Sequence, residues 1–141
     1  MGLIYVDTCL VVYAFESQTL FGERVRQAMA GAGGTPLAIS PLVKYECLAS
    51  PVRSGNLVLQ RYYEEGLAQF VQLPMPEAVY LQAAQLRGRF DLKMPDALHL
   101  ATAQLHGCTA LWTNDDRLAA ASHGLALNVL ANDAYAQPVE A

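Results

Sequence analysis

The sequence predicts an α/β fold: a parallel sheet of about five strands with helices on both faces. Two observations predict it. Short apolar runs alternate with longer stretches of helical period along the whole chain. Strands separated in this way by helices pair in parallel and bury both faces of their sheet. A chain of 141 residues that is 53% hydrophobic is the size of one domain and too apolar for disorder.

The elements follow in order. Leu3 to Val6 is a buried strand that stops at Asp7. Cys9 to Phe15 and Gly22 to Met29 are helical, the second ending near Gly31. Leu37 to Ser40 is the second strand. Ser40-Pro41 then starts a helix, with Ser at the N-cap and Pro at the first position. This helix is expected to reach about Ser50, with a turn at Pro51 to Gly55. Leu57 to Gln69 is helical, and Phe70 to Leu73 is the third strand. Pro76 opens a helix to about Phe90, and Pro95 opens another that stops at His106-Gly107. Ala110 to Thr113 is the fourth strand, Asp116 to Ala121 a short helix, and Ala126 to Leu130 the fifth strand. Residues 1–131 form a single domain in this reading, and 132–141 a loose tail.

Composition excludes several classes. No apolar run approaches the roughly 18 residues of a membrane span. The N-terminus lacks the basic start and long apolar stretch of a signal peptide. Gly2 fits myristoylation, but Val6 stands where Ser or Thr is needed. The expectation is a soluble cytoplasmic protein. Cys9, Cys47 and Cys108 are odd in number, far apart and set among apolar neighbours, the pattern of reduced thiols rather than of a disulfide framework or a zinc site. The net charge of −4 disfavours broad non-specific nucleic-acid binding. Reserving four of the 13 acids for a metal site leaves the remainder balanced against 9 Lys and Arg, so an RNA substrate stays open.

Four carboxylates carry the chemistry. Asp7 and Asp115 directly follow the first and fourth strands, at the carboxyl edge where ligands of parallel sheets gather. Each has an ordinary alternative, an N-cap for Asp7 and an Asx-turn for Asp115, and Asp116 could exchange roles with Asp115. Glu46 shares a helical face with Leu42, Val43 and Ala49, which is costly for a carboxylate without a partner. Asp96 opens a nearly all-apolar helix, where it is favoured electrostatically but could simply cap. Several carboxylates at one edge repel, and a divalent cation resolves that conflict. All-oxygen ligands favour Mg²⁺ or Mn²⁺ over zinc.

At Tyr5-Val6-Asp7-Thr8, at Glu46, at Met94-Pro95-Asp96-Ala97-Leu98-His99-Leu100-Ala101-Thr102-Ala103 and at Leu111-Trp112-Thr113-Asn114-Asp115, the sequence resembles the PIN-domain nucleases. It is most similar to the VapC-type toxins of bacterial toxin–antitoxin pairs. The resemblance covers about residues 3–130. It implies a PIN-like three-layer α/β fold and a metal-dependent ribonuclease that cleaves RNA phosphodiester bonds, leaving a 5′-phosphate and a 3′-hydroxyl. It places Asp7, Glu46, Asp96 and Asp115 at the Mg²⁺ or Mn²⁺ site. Thr8, Thr113, Asn114 and Asp116 are candidates to hold those carboxylates in place. It also implies a small antitoxin partner and a homodimer. The antitoxin surface is expected around Leu42 to Tyr63, where Val43, Leu57, Leu59, Tyr62 and Tyr63 offer apolar area beside Glu46.

Other signals carry less. His99 and His106 share a helix face without supporting ligands and read as packing or surface residues. Gly31-Ala32-Gly33-Gly34 precedes a strand, whereas a dinucleotide-binding loop follows one. Arg87, Arg89 and Lys93 are helix-end charges that could also touch phosphates. A phosphatase on a similar sheet would use a nucleophilic Asp with an Asp-x-Asp spacing, but Asp7 is followed by Thr8-Cys9. A non-catalytic RNA-binding or scaffold domain would not need all four acids.

Overall fold

The alternating runs become twelve elements in the computed structural model, which describes residues 2–131. They are β1 (Ile4–Val6), α1 (Thr8–Glu16), α2 (Leu20–Ala30), β2 (Leu37–Ile39), α3 (Pro41–Ser54), α4 (Leu57–Leu67) and β3 (Val71–Gln72). Then come α5 (Glu77–Phe90), α6 (Met94–Leu105), β4 (Ala110–Thr113), α7 (Asp116–Ala121) and β5 (Ala126–Asn128). The tail expected at 132–141 lies outside the described residues.

All five strands are parallel, in the order β3-β2-β1-β4-β5. The chain therefore winds outward from β1 through β2 and β3, then returns to the other side of β1. Right-handed crossovers taken in opposite directions put the two sets of connecting helices on opposite faces. The reversal falls between β1 and β4, and it opens a crevice at their carboxyl ends. Ile4, Tyr5 and Val6 of the central strand are all buried, as are Leu111 and Trp112 beside them. Each fully buried aliphatic side chain contributes about 1.5–3 kcal/mol.

The chain departs from the expected elements in three places. The turn expected at Pro51 is helix, because α3 continues through it to Ser54. Proline removes one helical hydrogen bond, but here its ring is buried in the core. The helix stops instead at Gly55, which takes φ 71°, with the Gly55 and Asn56 N–H groups bonded to the carbonyls of Val52 and Pro51. The fifth strand ends at Asn128 rather than Leu130, since the Asn128 side-chain oxygen accepts the N–H groups of Leu130 and Ala131 and turns the chain. Finally, Val43 and Tyr63, expected on a docking surface, are core. The Tyr63 ring stacks on Phe15 at 5.1 Å between centroids, and its hydroxyl donates to the Glu16 carboxylate. Leu57 and Tyr62 remain exposed, and Leu59 is partly buried.

Cys9, Cys47 and Cys108 are free thiols. Burial pushes the Cys9 and Cys47 thiols up to about 12, so they stay protonated and pack as small apolar groups. Among the described residues, no helix is long and apolar enough to cross a membrane.

Candidate active site

Asp7 stands between β1 and α1, in the N-cap position of the helix, yet its side chain makes no capping bond. The carboxylate turns instead to the neighbouring strand end, where Thr113 Oγ1 donates to its Oδ2 at 2.7 Å. It is only 6% exposed. The ordinary capping role is thus not what this buried charge performs. Thr113 has a second task, because its oxygen accepts the backbone N–H of Asp115 at 3.1 Å. One hydroxyl thereby ties the ends of β1 and β4 together.

Asp115 is different. Its Oδ1 accepts the backbone N–H of Arg117 at 2.9 Å, so it does cap α7. Its neighbour Asp116 accepts from the side chain of Asn128, at the end of β5, at 2.8 Å. Of the two adjacent acids, Asp115 is therefore the capping residue and Asp116 the one tied to the edge strand.

Glu46 lies in the second turn of α3, a quarter exposed at its side chain. Its Oε1 receives two hydrogen bonds, from Thr8 Oγ1 at 2.6 Å and from His99 Nε2 at 2.9 Å. Burial alone would raise its pKa, but the bonds from His99 and Thr8 outweigh that and lower it. Asp96, in the first turn of α6, shows the opposite balance. Burial raises its pKa, and the charges of Asp7 and Asp115 raise it further, against weaker opposition from His99 and Arg117.

The structure brings all four sequence-predicted acids to one cleft of about 690 Å³. Asp7, Glu46, Asp96 and Asp115 line it, together with Thr8, Asn114 and Asp116. Thr113 is buried behind it and holds Asp7. Four lining residues, Cys9, Pro95, His99 and Arg117, lay outside the predicted set, and two of them bring new chemistry. Arg117 contributes a cation next to Asp115, with its Nε 3.8 Å from Oδ1. His99, expected to be a packing or surface residue, is 1% exposed and stands between Glu46, Tyr5 and Asp7, whose Oδ1 is 3.6 Å from its Nε2. The signal for it was its spacing: His99 is one helical turn beyond Asp96, on the same face, in a helix otherwise apolar at that level.

The donor set fits a hard divalent cation. Carboxylates from four separate segments converge, and burial, followed by the charges of Asp7 and Asp115, raises the Asp96 pKa. Among the described residues, no group of three or more His, Cys, Asp or Glu side chains is already drawn together closely enough to hold a metal ion. An open arrangement of acids suits a hard cation that keeps several of its waters and takes few protein ligands.

Comparison with known proteins places this geometry among relatives. The PIN domain family matches residues 4–124. No curated protein matches by sequence. Several solved structures share the fold. The toxin–antitoxin complex from Klebsiella pneumoniae superposes with TM-score 0.74 at 24% identity, covering 89% of this chain and 97% of that one. VapBC2 of Rickettsia felis, bound to a DNA fragment from its promoter, gives 0.74 at 15% identity, with 89% and 97% covered. The sarcin–ricin-loop-cleaving toxin VapC20 of Mycobacterium tuberculosis gives 0.71 at 16% identity, with 84% and 94% covered.

Proposed function

The chain belongs to the PIN domain family, and on that premise we propose that it is a metal-dependent endoribonuclease, the toxin of a toxin–antitoxin pair. The observation that carries the reading is the convergence of Asp7, Glu46, Asp96 and Asp115 on one cleft at the carboxyl edge of β1 and β4. The printed descriptions of its structural relatives point the same way, one a toxin–antitoxin complex and another a toxin that cleaves an RNA loop.

Asp7, Asp96 and Asp115 would hold Mg²⁺ or Mn²⁺, directly or through water, and Glu46 would join them or orient a water. When bound, the cation polarises the phosphoryl oxygen and acidifies the attacking water. The chain's own groups do the rest. Thr113 keeps the Asp7 carboxylate aimed by donating to Oδ2. Thr8 and His99 fix one oxygen of Glu46 and keep that carboxyl ionised. Arg117, exposed at the rim, offers a cation to a phosphate.

The partners are proposals of the same reading: an antitoxin segment and a second copy of the chain. Exposed apolar residues on α3 and α4, among them Tyr45, Val52, Leu57, Val58 and Tyr62, supply area for an ordering segment. Co-expression with the adjacent small reading frame should relieve growth arrest and yield a copurifying peptide.

The deciding experiment is cleavage of cellular RNA by the purified chain, with fragment ends mapped. Activity should need Mg²⁺ or Mn²⁺, stop in excess EDTA and vanish in Asp96→Asn. Cleavage that persists in EDTA would sink the metal mechanism. An inert chain that binds RNA would favour a scaffold role instead.

A further inference from the structure

Behind the cleft, three buried polar side chains form a chain of hydrogen bonds. Ser40 Oγ lies 2.7 Å from the Tyr5 hydroxyl, and that hydroxyl lies 2.7 Å from His99 Nδ1. The other ring nitrogen of His99, Nε2, lies 2.9 Å from Glu46 Oε1. Ser40 and Tyr5 are fully buried and His99 nearly so. Ser40 stands at the start of α3, the helix that carries Glu46. The chain leaves α3, crosses β1 and α6, and returns to α3. Ser40 occupies the N-cap position, but its side chain makes no capping bond and faces Tyr5 instead.

Only one set of donor assignments uses every hydroxyl proton. Ser40 donates to Tyr5, Tyr5 donates to Nδ1, and Nε2–H donates to Glu46. The reverse direction leaves the Ser40 proton without an acceptor among the described residues. Burying three polar groups is costly where apolar ones would pack, and the cost is offset only if each is bonded. This circuit ends on a carboxylate at the cleft rather than on backbone.

We propose that Tyr5 and His99 are positioning residues, which with Ser40 lock the Glu46 carboxylate by its Oε1 and leave Oε2 for the cation or water of the cleft. His99 fixes the direction of the donated bond, and Tyr5 fixes the tautomer of His99. Because α6 carries both His99 and Asp96, the same helix sets the position of two of the acids. The inference rests on the nuclease reading above for its activity measurements, but not for its binding measurement.

The test compares wild type with His99→Leu, Tyr5→Phe and His99→Gln, whose amide N–H can stand in for Nε2–H. Mn²⁺ binding is measured by titration calorimetry without RNA, kcat and KM with RNA, and folding by circular dichroism and Tm. The leucine variant should lose roughly 10–100-fold in Mn²⁺ affinity and in kcat, the usual range for groups that orient metal ligands, with KM little changed. Tyr5→Phe should lose part of this, and His99→Gln should recover much of it. A role confined to packing would lower Tm without such rescue. Folded His99→Leu with wild-type Mn²⁺ affinity and kcat overturns the proposal and leaves the nuclease reading standing. A wild type that neither binds Mn²⁺ nor cleaves RNA overturns both. Should the leucine variant not fold, Tyr5→Phe decides, and wild-type affinity and kcat in it overturn the proposal.

Discussion

The β1–α1 and β4–α7 junctions look alike in sequence and behave differently in the fold. Each is a strand, a carboxylate at the N-cap position and a helix. At the second, Asp115 does what such a residue ordinarily does and accepts a backbone N–H of its own helix. At the first, the Asp7 side chain does not cap its helix and instead accepts a hydrogen bond from a hydroxyl of the other junction. The difference lies in position. β1 is central, so Asp7 emerges between two neighbouring strands and is buried. β4 lies one place outward, and Asp115 keeps enough solvent for a capping geometry. On the proposed reading, a carboxylate that its own helix does not use is the one left for the cation, whereas one used by its own helix serves two purposes.

The largest effect is expected at the first junction. Asp7→Asn keeps the bond from Thr113 but removes the charge, and cleavage should fall by more than the roughly 10–100-fold that orienting groups carry. Without metal, its Tm should hold or rise, because repulsion with Asp96 is relieved. A Tm that drops sharply would mean that the Asp7 charge is structural. Thr113→Val comes next. It breaks the link between the junctions, so activity should drop roughly 10–100-fold, and stability by about 1.5–3 kcal/mol for a buried bond to a charged group. Measured by urea unfolding, a neutral result would show that Asp7 holds its place unaided.

At the second junction, the two roles of Asp115 should separate. Asp115→Ser retains a cap and loses the charge, and Asp115→Ala loses both. Activity should suffer equally in the two, while the alanine variant alone loses about 1 kcal/mol of stability. The smallest effect concerns pH in the metal-free protein. The Asp96 pKa is raised above the ordinary 3.8, so its protonated form favours the fold and that contribution is lost as pH climbs through the raised value. Glu46 acts oppositely, since its pKa lies below 4.5 and its stabilisation is lost as pH falls through that lowered value. Asp96→Asn should therefore flatten the decline of Tm above about pH 4 in EDTA. An unchanged slope would place the strain elsewhere.

Much of this was legible from sequence because the strands are short, apolar and separated by helices, and because Asp7 and Asp115 stand immediately after two of them. The Pro-Asp-Ala-Leu-His string around Asp96 carried the sequence resemblance. What could not be read depended on contacts across the sheet. Pro51 looked like a breaker because its missing N–H is local, whereas the burial that keeps it in α3 is tertiary. Val43 and Tyr63 looked like surplus apolar surface because nothing local shows that their side of the chain meets the core. His99 looked like a packing residue because its partners, Tyr5 and Glu46, are 94 and 53 positions away. Reading it together with Asp96, one turn earlier, would have put both on the face of the cleft.

The sheet order also governs when the cleft can exist. Asp7 and the threonine that aims it are 106 positions apart. Synthesis proceeds at about 5–20 residues per second, so several seconds separate their appearance. Until β4 is made, β1 can pair with β2 on one flank but lacks its neighbour on the other, and Asp115 does not yet exist. A chain stopped before Ala110 carries Asp7, Glu46 and Asp96 but lacks β4 and Asp115. On the proposed reading, unfinished copies should not cut RNA, because the last quarter of the chain supplies β4, Thr113 and Asp115.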